Sequence, residues 1–137
     1  MALAAIILMT GDMRIGTSGT PKCKIGLNEV HIGLPLPAFA MPLAKTRLAP
    51  THLTRAVTLG TIYQPEDAVA VGYLDMVVEA DALEARALEE AAALAKLGLQ
   101  GAGGPFHTTK LRERREVIDL CAARLPEDVA SFVGDRS

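Results

Sequence analysis

Tryptophan is absent and aromatic residues make up only 4% of the chain. The core is therefore left to Ala, Leu, Val and Ile, a composition suited to helix packing. Only two cysteines occur, Cys23 and Cys121, far apart and outside any CxxC or Cys/His ligand spacing. Neither a disulfide framework nor a zinc site is suggested, no metal is expected, and reduced thiols in a cytoplasm fit best. No long apolar run is present: Met1 to Met9 gives about nine residues where a membrane span needs about twenty. That run has no basic region before it and no small-residue cleavage site in Thr10-Gly11-Asp12, so it is not read as a signal peptide. The patterns GxSxG, GxGxxG and HExxH are missing, as is the P-loop, which leaves triad hydrolysis, dinucleotide binding, zinc proteolysis and P-loop phosphoryl transfer without support.

What is present suits one modest globular domain: 137 residues, 50% hydrophobic, 22% charged, with a formal net charge of -2. Such a chain buries enough surface to hold a core without cross-links. Charge is uneven, with six Lys/Arg against two acids up to residue 63 and two against eight from 64 to 100. Six scattered cations without aromatic interleaving read as solvated surface, so no nucleic-acid partner is expected.

Ala2 to Met9 is predicted to be a buried helix with no capping residue ahead of it, as though the chain began inside an element. Asp12 to Gly16 and Lys24 to Leu27 read as two short strands around the turn Thr17 to Pro21. Gly33 to Pro37 is extended by its prolines. Thr51 to Leu59 reads as a short helix stopped by Gly60. The next helix opens on Pro65 with Glu66 and Asp67 in its first turn and closes at Gly72. Tyr73 to Val78 reads as a strand. Asp81 to about Leu97 is the clearest helix, with an apolar stripe of Leu83, Ala87, Leu88, Ala91, Leu94 and Ala95. The chain then divides into a core over 1–97, a glycine-rich hinge over 98–105 and a helical segment over 106–137. The final helix is expected from Thr108 to about Arg124, with Pro126-Glu127-Asp128 as another helix-start signal.

His31, His52 and His107 have no partnering carboxylates at ligand spacing and read as structural or exposed. Glu29 stands apart, in an apolar, glycine-flanked loop, Lys24 to Pro35, with no adjacent cation. There the charged form of a carboxylate is disfavoured, the condition for proton transfer near neutral pH. A glutamate pointing to solvent from a strand end is the structural alternative.

The strings Gly11-Asp12-Met13-Arg14-Ile15-Gly16, Lys24-Ile25-Gly26-Leu27-Asn28-Glu29-Val30 and Ile32-Gly33-Leu34-Pro35 resemble the enoyl-CoA hydratase/isomerase (crotonase) family. So do Leu53-Thr54-Arg55-Ala56, Ile62-Tyr63, Pro65-Glu66-Asp67-Ala68 and Gly72-Tyr73-Leu74-Asp75-Met76-Val77-Val78, in that family's order, over roughly residues 2 to 97. The resemblance implies an α/β fold, here a partial crotonase-like ββα spiral followed by C-terminal helices, matching the second half of the family's chains. It implies an acyl-CoA thioester as substrate, with CoA part of the substrate and no separate cofactor. It also implies a homo-oligomer with trimer-type contacts and a separate N-terminal half completing the site.

Carried over residue by residue, Glu29 matches the family's acid/base glutamate. Six residues before Asp12, where hydratases place a second glutamate, stands Ile6, which cannot transfer a proton. The family's oxyanion-binding backbone N–H falls at about Leu3 and Ala4, with Ala4 the candidate. Lys110 resembles a lysine near the CoA end. Two functions follow: hydration or isomerisation of enoyl-CoA through an oxyanion-stabilised enolate, or an inactive remnant serving as an oligomerisation or interaction module.

Overall fold

A computed structural model describes residues 2–18 and 23–134. Its elements run α1 (Ala2–Met9), β1 (Ile15–Thr17), a 3₁₀ turn (Glu29–Ile32), α2 (Ala40–Arg47), a single π-helical turn (Thr54–Thr58) and α3 (Pro65–Val71). They continue with β2 (Met76–Val78), a 3₁₀ turn (Ala80–Ala82), α4 (Leu83–Leu97) and α5 (Pro105–Gly134). The fold is mixed and helix-rich. Among the described residues one small sheet pairs β1 with β2 in parallel, Ile15 opposite Met76 and Thr17 opposite Val78.

The start and stop signals of α3 act as expected. Pro65 occupies its first turn, where a missing N–H costs nothing, and Gly72 ends it in a left-handed conformation. The expected strand Lys24 to Leu27 is not one. Ile25 alone forms an antiparallel bridge to Tyr63, with N···O distances of 3.0 and 2.8 Å. Three-residue strands carry too little alternation to name their partners. The expected strand from Tyr73 shortens to Met76–Val78, and the helix over Thr51 to Leu59 is reduced to the π-helical turn, closed by Leu59 N–H donating to Thr54 O at 3.0 Å. Of the expected turn between the first two strands, residues 19–21 lie outside the described residues.

Met9, Leu27, Val71 and Tyr73 are the largest side chains fully withdrawn from solvent, and Ala5, Ile6, Ala40, Ala44, Leu48 and Ala56 pack with them. Polar groups tie the core to its cover. Arg14 is buried and forks onto Asp75, Nε to Oδ2 at 2.9 Å and Nη2 to Oδ1 at 2.7 Å, while its Nη1 donates to Gly72 O. Arg47 donates to Met9 O and Gly11 O, and Arg114 to Thr10 O, so the carbonyls at the end of α1 find partners.

The last helix corrects the sequence reading. Pro126 does not start a new helix; α5 runs through it, leaving Pro126 without a backbone N–H in the helix interior. Two residues on, the buried Asp128 accepts the N–H groups of Ala38 and Phe39 at 2.7 and 2.8 Å. These N–H groups lie just ahead of α2, so a carboxylate ninety residues away does the work of a local cap.

Asp75 and Asp12 make stability depend on pH. Hydrogen bonds from Arg14 hold the Asp75 carboxyl below its ordinary range, against the opposing effect of burial. For Asp12, burial pushes upward, but Lys110 and Arg114 outweigh it and the net direction is down. A depressed carboxyl stabilises the fold above its unfolded value, about pH 4, and that contribution disappears as pH falls through the lower folded value. Urea midpoints are therefore expected to fall as the pH drops below about 4, and Asp75→Asn should lower the midpoint at pH 7 and flatten the slope. A wild-type slope retained in full by Asp75→Asn would remove the Arg14 pair as its source.

The apolar stripe of α4 is not buried as its spacing suggested. Leu88 is 64% exposed, and no α4 residue is buried. Leu111, Ile118 and Leu120 of α5 are also exposed, as are Val30, Ile32 and Leu34 beside the 3₁₀ turn. Apolar surface on this scale drives association. Light scattering at micromolar concentration is expected to show self-association, and a stable monomer would contradict it.

Candidate active site

Glu29 is the first residue of its 3₁₀ turn, which Gly33 closes with a left-handed backbone, φ 76°. The segment before it is stitched to Tyr63 through Ile25, and Leu27 is fully buried. The turn itself leans on the residues after the π-helical turn: His31 Nε2 lies 2.9 Å from Leu59 O. Gly60 lets the two segments meet, because a Cβ there would lie 2.7 Å from both Val30 Cγ2 and His31 Cδ2, and its φ of 59° disfavours other residues.

This packing turns the Glu29 side chain inward. The residue is 7% exposed, and its Oε2 is buried with no hydrogen-bond partner. The solvent-directed strand-end alternative is thereby excluded for this fold. Two further buried oxygens have no partner, the hydroxyls of Tyr63 and Tyr73. The tyrosine rings are tilted by 44° with centroids 6.0 Å apart. Leaving a buried polar group unmatched costs about 1–3 kcal/mol. Burial pushes the Tyr73 hydroxyl above the ordinary phenol range; the Leu27 backbone, the next largest influence, opposes it, and Tyr63 and Glu29 add smaller upward pushes.

The other candidates lie elsewhere. Ala4 is exposed in the first turn of α1, where backbone N–H groups have no helical acceptor. Ile6 is buried in the core. Lys110 pairs with Asp12 and stands 5.9 Å from the centroid of the Phe106 ring. It lines a cavity of about 630 Å³ between α1, α2 and α5, together with Ile6, Phe39, Leu43, Arg47, Phe106 and Arg114. Glu29 is not part of that lining, so the structure does not bring Glu29 and Lys110 into one pocket. Asp12, read from sequence as a boundary residue, proves to be the link between α1 and α5 through Lys110 and Arg114. Tyr63 and Tyr73 were missed as site residues. Their signal was scarcity, two tyrosines in 137 residues, each close to the end of an otherwise aliphatic segment.

Among the described residues no group of three His, Cys, Asp or Glu could hold a metal ion, and no helix is long and apolar enough to cross a membrane.

The chain thus holds a buried, unmatched carboxylate on a short turn in a helix-rich α/β frame with a small parallel sheet. No family model matches the chain. An enoyl-CoA hydratase from Mycobacterium marinum superposes with a TM-score of 0.84 at 31% identity, over 96% of this chain and 55% of that one. Human mitochondrial delta3-delta2-enoyl-CoA isomerase does so with a TM-score of 0.78 at 26% identity, over 95% and 48%. In sequence, human enoyl-CoA delta isomerase 1, mitochondrial, is 28% identical over 131 residues, 93% of this chain and 41% of that protein. The chain belongs to the enoyl-CoA hydratase/isomerase (crotonase) family and corresponds to the C-terminal portion of its relatives. It spans about half the length of the proteins it matches.

Proposed function

We propose that this chain supplies the proton-transferring carboxylate for isomerisation of an enoyl-CoA thioester. The observation that carries this reading is the buried carboxylate left unmatched among the described residues: Glu29 Oε2 has no partner, whereas the buried Asp128 accepts from Ala38 and Phe39, and the position of a second family glutamate is Ile6, inside the core. Hydration needs a water held and a second proton delivered. Migration of a double bond needs one base that takes a proton and returns it.

On this reading Glu29 removes a proton from the carbon next to the thioester carbonyl, and the electron pair moves onto the carbonyl oxygen. First-turn N–H groups of α1, Ala4 among them, hold the developing oxyanion, a fixed donor set that needs no reorganisation. The protonated Glu29 then returns the proton two carbons further along, the double bond shifts by one position, and the carboxylate is regenerated. Nothing is consumed besides the starting isomer. The isomerase names of two of the relatives support the choice.

The rest of the acyl-CoA surface falls to the N-terminal half of the family's fold, within an oligomer of trimer type. The basic cavity edge, with Lys110, Arg47 and Arg114, is the remaining attraction for CoA phosphates. The test is turnover of a 3-enoyl-CoA by the chain with such a half supplied, compared between the unmodified protein and Glu29→Gln. Absence of turnover in every pairing would favour an inactive interaction module.

A further inference from the structure

The cavity between α1, α2 and α5 has an interior that proton transfer at Glu29 does not use, since Glu29 is not in its lining. Its volume, about 630 Å³, is that of a site enclosing a small molecule. The two ends differ. Arg47 donates to Met9 O and Gly11 O, Arg114 donates to Thr10 O, and Lys110 pairs with Asp12, so three cations gather where α1 ends. At the other end of α2, Asp128 of α5 holds the N–H groups of Ala38 and Phe39. Helix α5 therefore runs antiparallel to α2, and the lining away from the cations is apolar: Phe39, Leu43, Val117 and Ile118, with the Cys121 thiol among them. Asp12 and Glu113 answer two of the three positive charges. Arg47 is left with neutral carbonyls as its hydrogen-bond partners among the described residues, and burial, then Arg114 and Arg14, push its guanidinium below the ordinary range.

We propose that this cavity binds a free medium-chain fatty acid, its carboxylate held at the end of α1 by Arg47 and Lys110 and its chain lying along α5 toward Phe39. A guanidinium has five N–H donors and an ammonium three, so both cations keep donors for a carboxylate beyond the bonds they already make. Such charge-assisted bonds are the strong ones, and an anion here also relieves the crowding of positive charge. The apolar lining takes the chain out of water. Its length follows from α5: Cys121 stands two turns beyond Arg114, about 10 Å along the axis. With carbon–carbon bonds of about 1.5 Å, an extended chain of roughly eight carbons covers that span. A thioester presents a neutral carbonyl at this end of its chain, so the uncompensated charge at Arg47 selects the acid over the thioester.

Cys121 reports on the apolar part of the cavity, and Cys23, which does not line it, is the control. The unmodified chain is treated with an uncharged thiol reagent, and the labelled peptides are followed by mass. Octanoate at ten times its half-effect concentration should slow labelling of Cys121 about tenfold, as mass action requires of an occupied site, with Cys23 unaffected. 1-Octanol, the same chain with a neutral head, should need about ten times the concentration, the worth of one charge-assisted hydrogen bond. Lys110→Gln should weaken octanoate by a similar factor and leave 1-octanol unchanged. Free CoA shares only the basic edge and should leave Cys121 exposed. Unslowed Cys121 in saturating octanoate, equal potency of acid and alcohol, or protection by CoA matching that by octanoate each overturns the proposal. If Lys110→Gln does not fold, the comparison of acid with alcohol on the unmodified chain still decides. No readout involves turnover, so activity retained in Glu29→Gln would sink the functional reading alone.

Discussion

Replacing Glu29 by glutamine is expected to slow double-bond migration by about 10²-fold to 10⁴-fold, the contribution of a positioned acid or base. Glutamine keeps the shape of the side chain and its burial but can neither take nor return the proton. Its amide brings an N–H to a place where Oε2 has no partner, so the fold should tolerate the change. Turnover and stability should therefore separate: the rate falls while the urea midpoint moves little. Glu66 is the control. It lies exposed in the first turn of α3, and Glu66→Gln should leave the rate within a factor of about two, since a surface change remote from the chemistry removes no transition-state contact. Asp12 is unsuitable as a control, because its pairs with Lys110 and Arg114 join α1 to α5 and its amide would confound rate with structure. Equal rates for Glu29→Gln and the unmodified protein would take the carboxylate out of the mechanism.

Local chemistry made some of this legible in the sequence. Pro65 and Gly72 bracket α3 because one residue lacks an N–H and the other lacks a Cβ, and both facts act within a single turn. Glu29 stood out as a lone carboxylate in an apolar loop, and the structure turns it inward. What stayed hidden was set by distant partners. Parallel pairing of Ile15–Thr17 with Met76–Val78 leaves no trace in either three-residue stretch. Asp128 looked like a first-turn acid at a new helix start, and only the folded chain shows it receiving the N–H groups of Ala38 and Phe39. The spacing of Leu83, Leu88 and Leu94 correctly gave a helix, yet periodicity cannot say whether the same chain supplies the surface that covers it. Tyr63 and Tyr73 carry no role in the sequence reading, because a pattern of apolar positions does not register a hydroxyl.

Gly72→Ala should cause a large loss of stability relative to the single methyl group it adds. Gly72 has φ 97° and ψ 13°, a left-handed conformation that costs a residue with a Cβ about 1–3 kcal/mol. The added carbon would also lie 2.5 Å from Arg47 O, 3.2 Å from Leu48 Cα and 3.3 Å from Ala49 N. These are backbone atoms at the end of α2, and no side-chain rotation relieves them. They are held in place besides, since Ala49 N–H donates to Val71 O at 2.9 Å. Relief must come from moving α2 away from the end of α3, and the displaced carbonyl of Gly72 is the one that Arg14 grips while it forks onto Asp75. Strain and overpacking together are expected to cost about 3 kcal/mol, a large share of the 5–15 kcal/mol that holds a typical domain folded. Gly33→Ala separates the two contributions. Gly33 has φ 76° with nothing within 4 Å of its would-be Cβ, so only the backbone preference is lost, about 1 kcal/mol. Urea unfolding of the two variants should give midpoints well apart with similar slopes, and Tyr73, the next residue, should be disturbed in Gly72→Ala alone. Equal midpoints would mean that the end of α2 does not press on Gly72, and the tie between the Arg14–Asp75 pair and the seat of Tyr73 would fall with it.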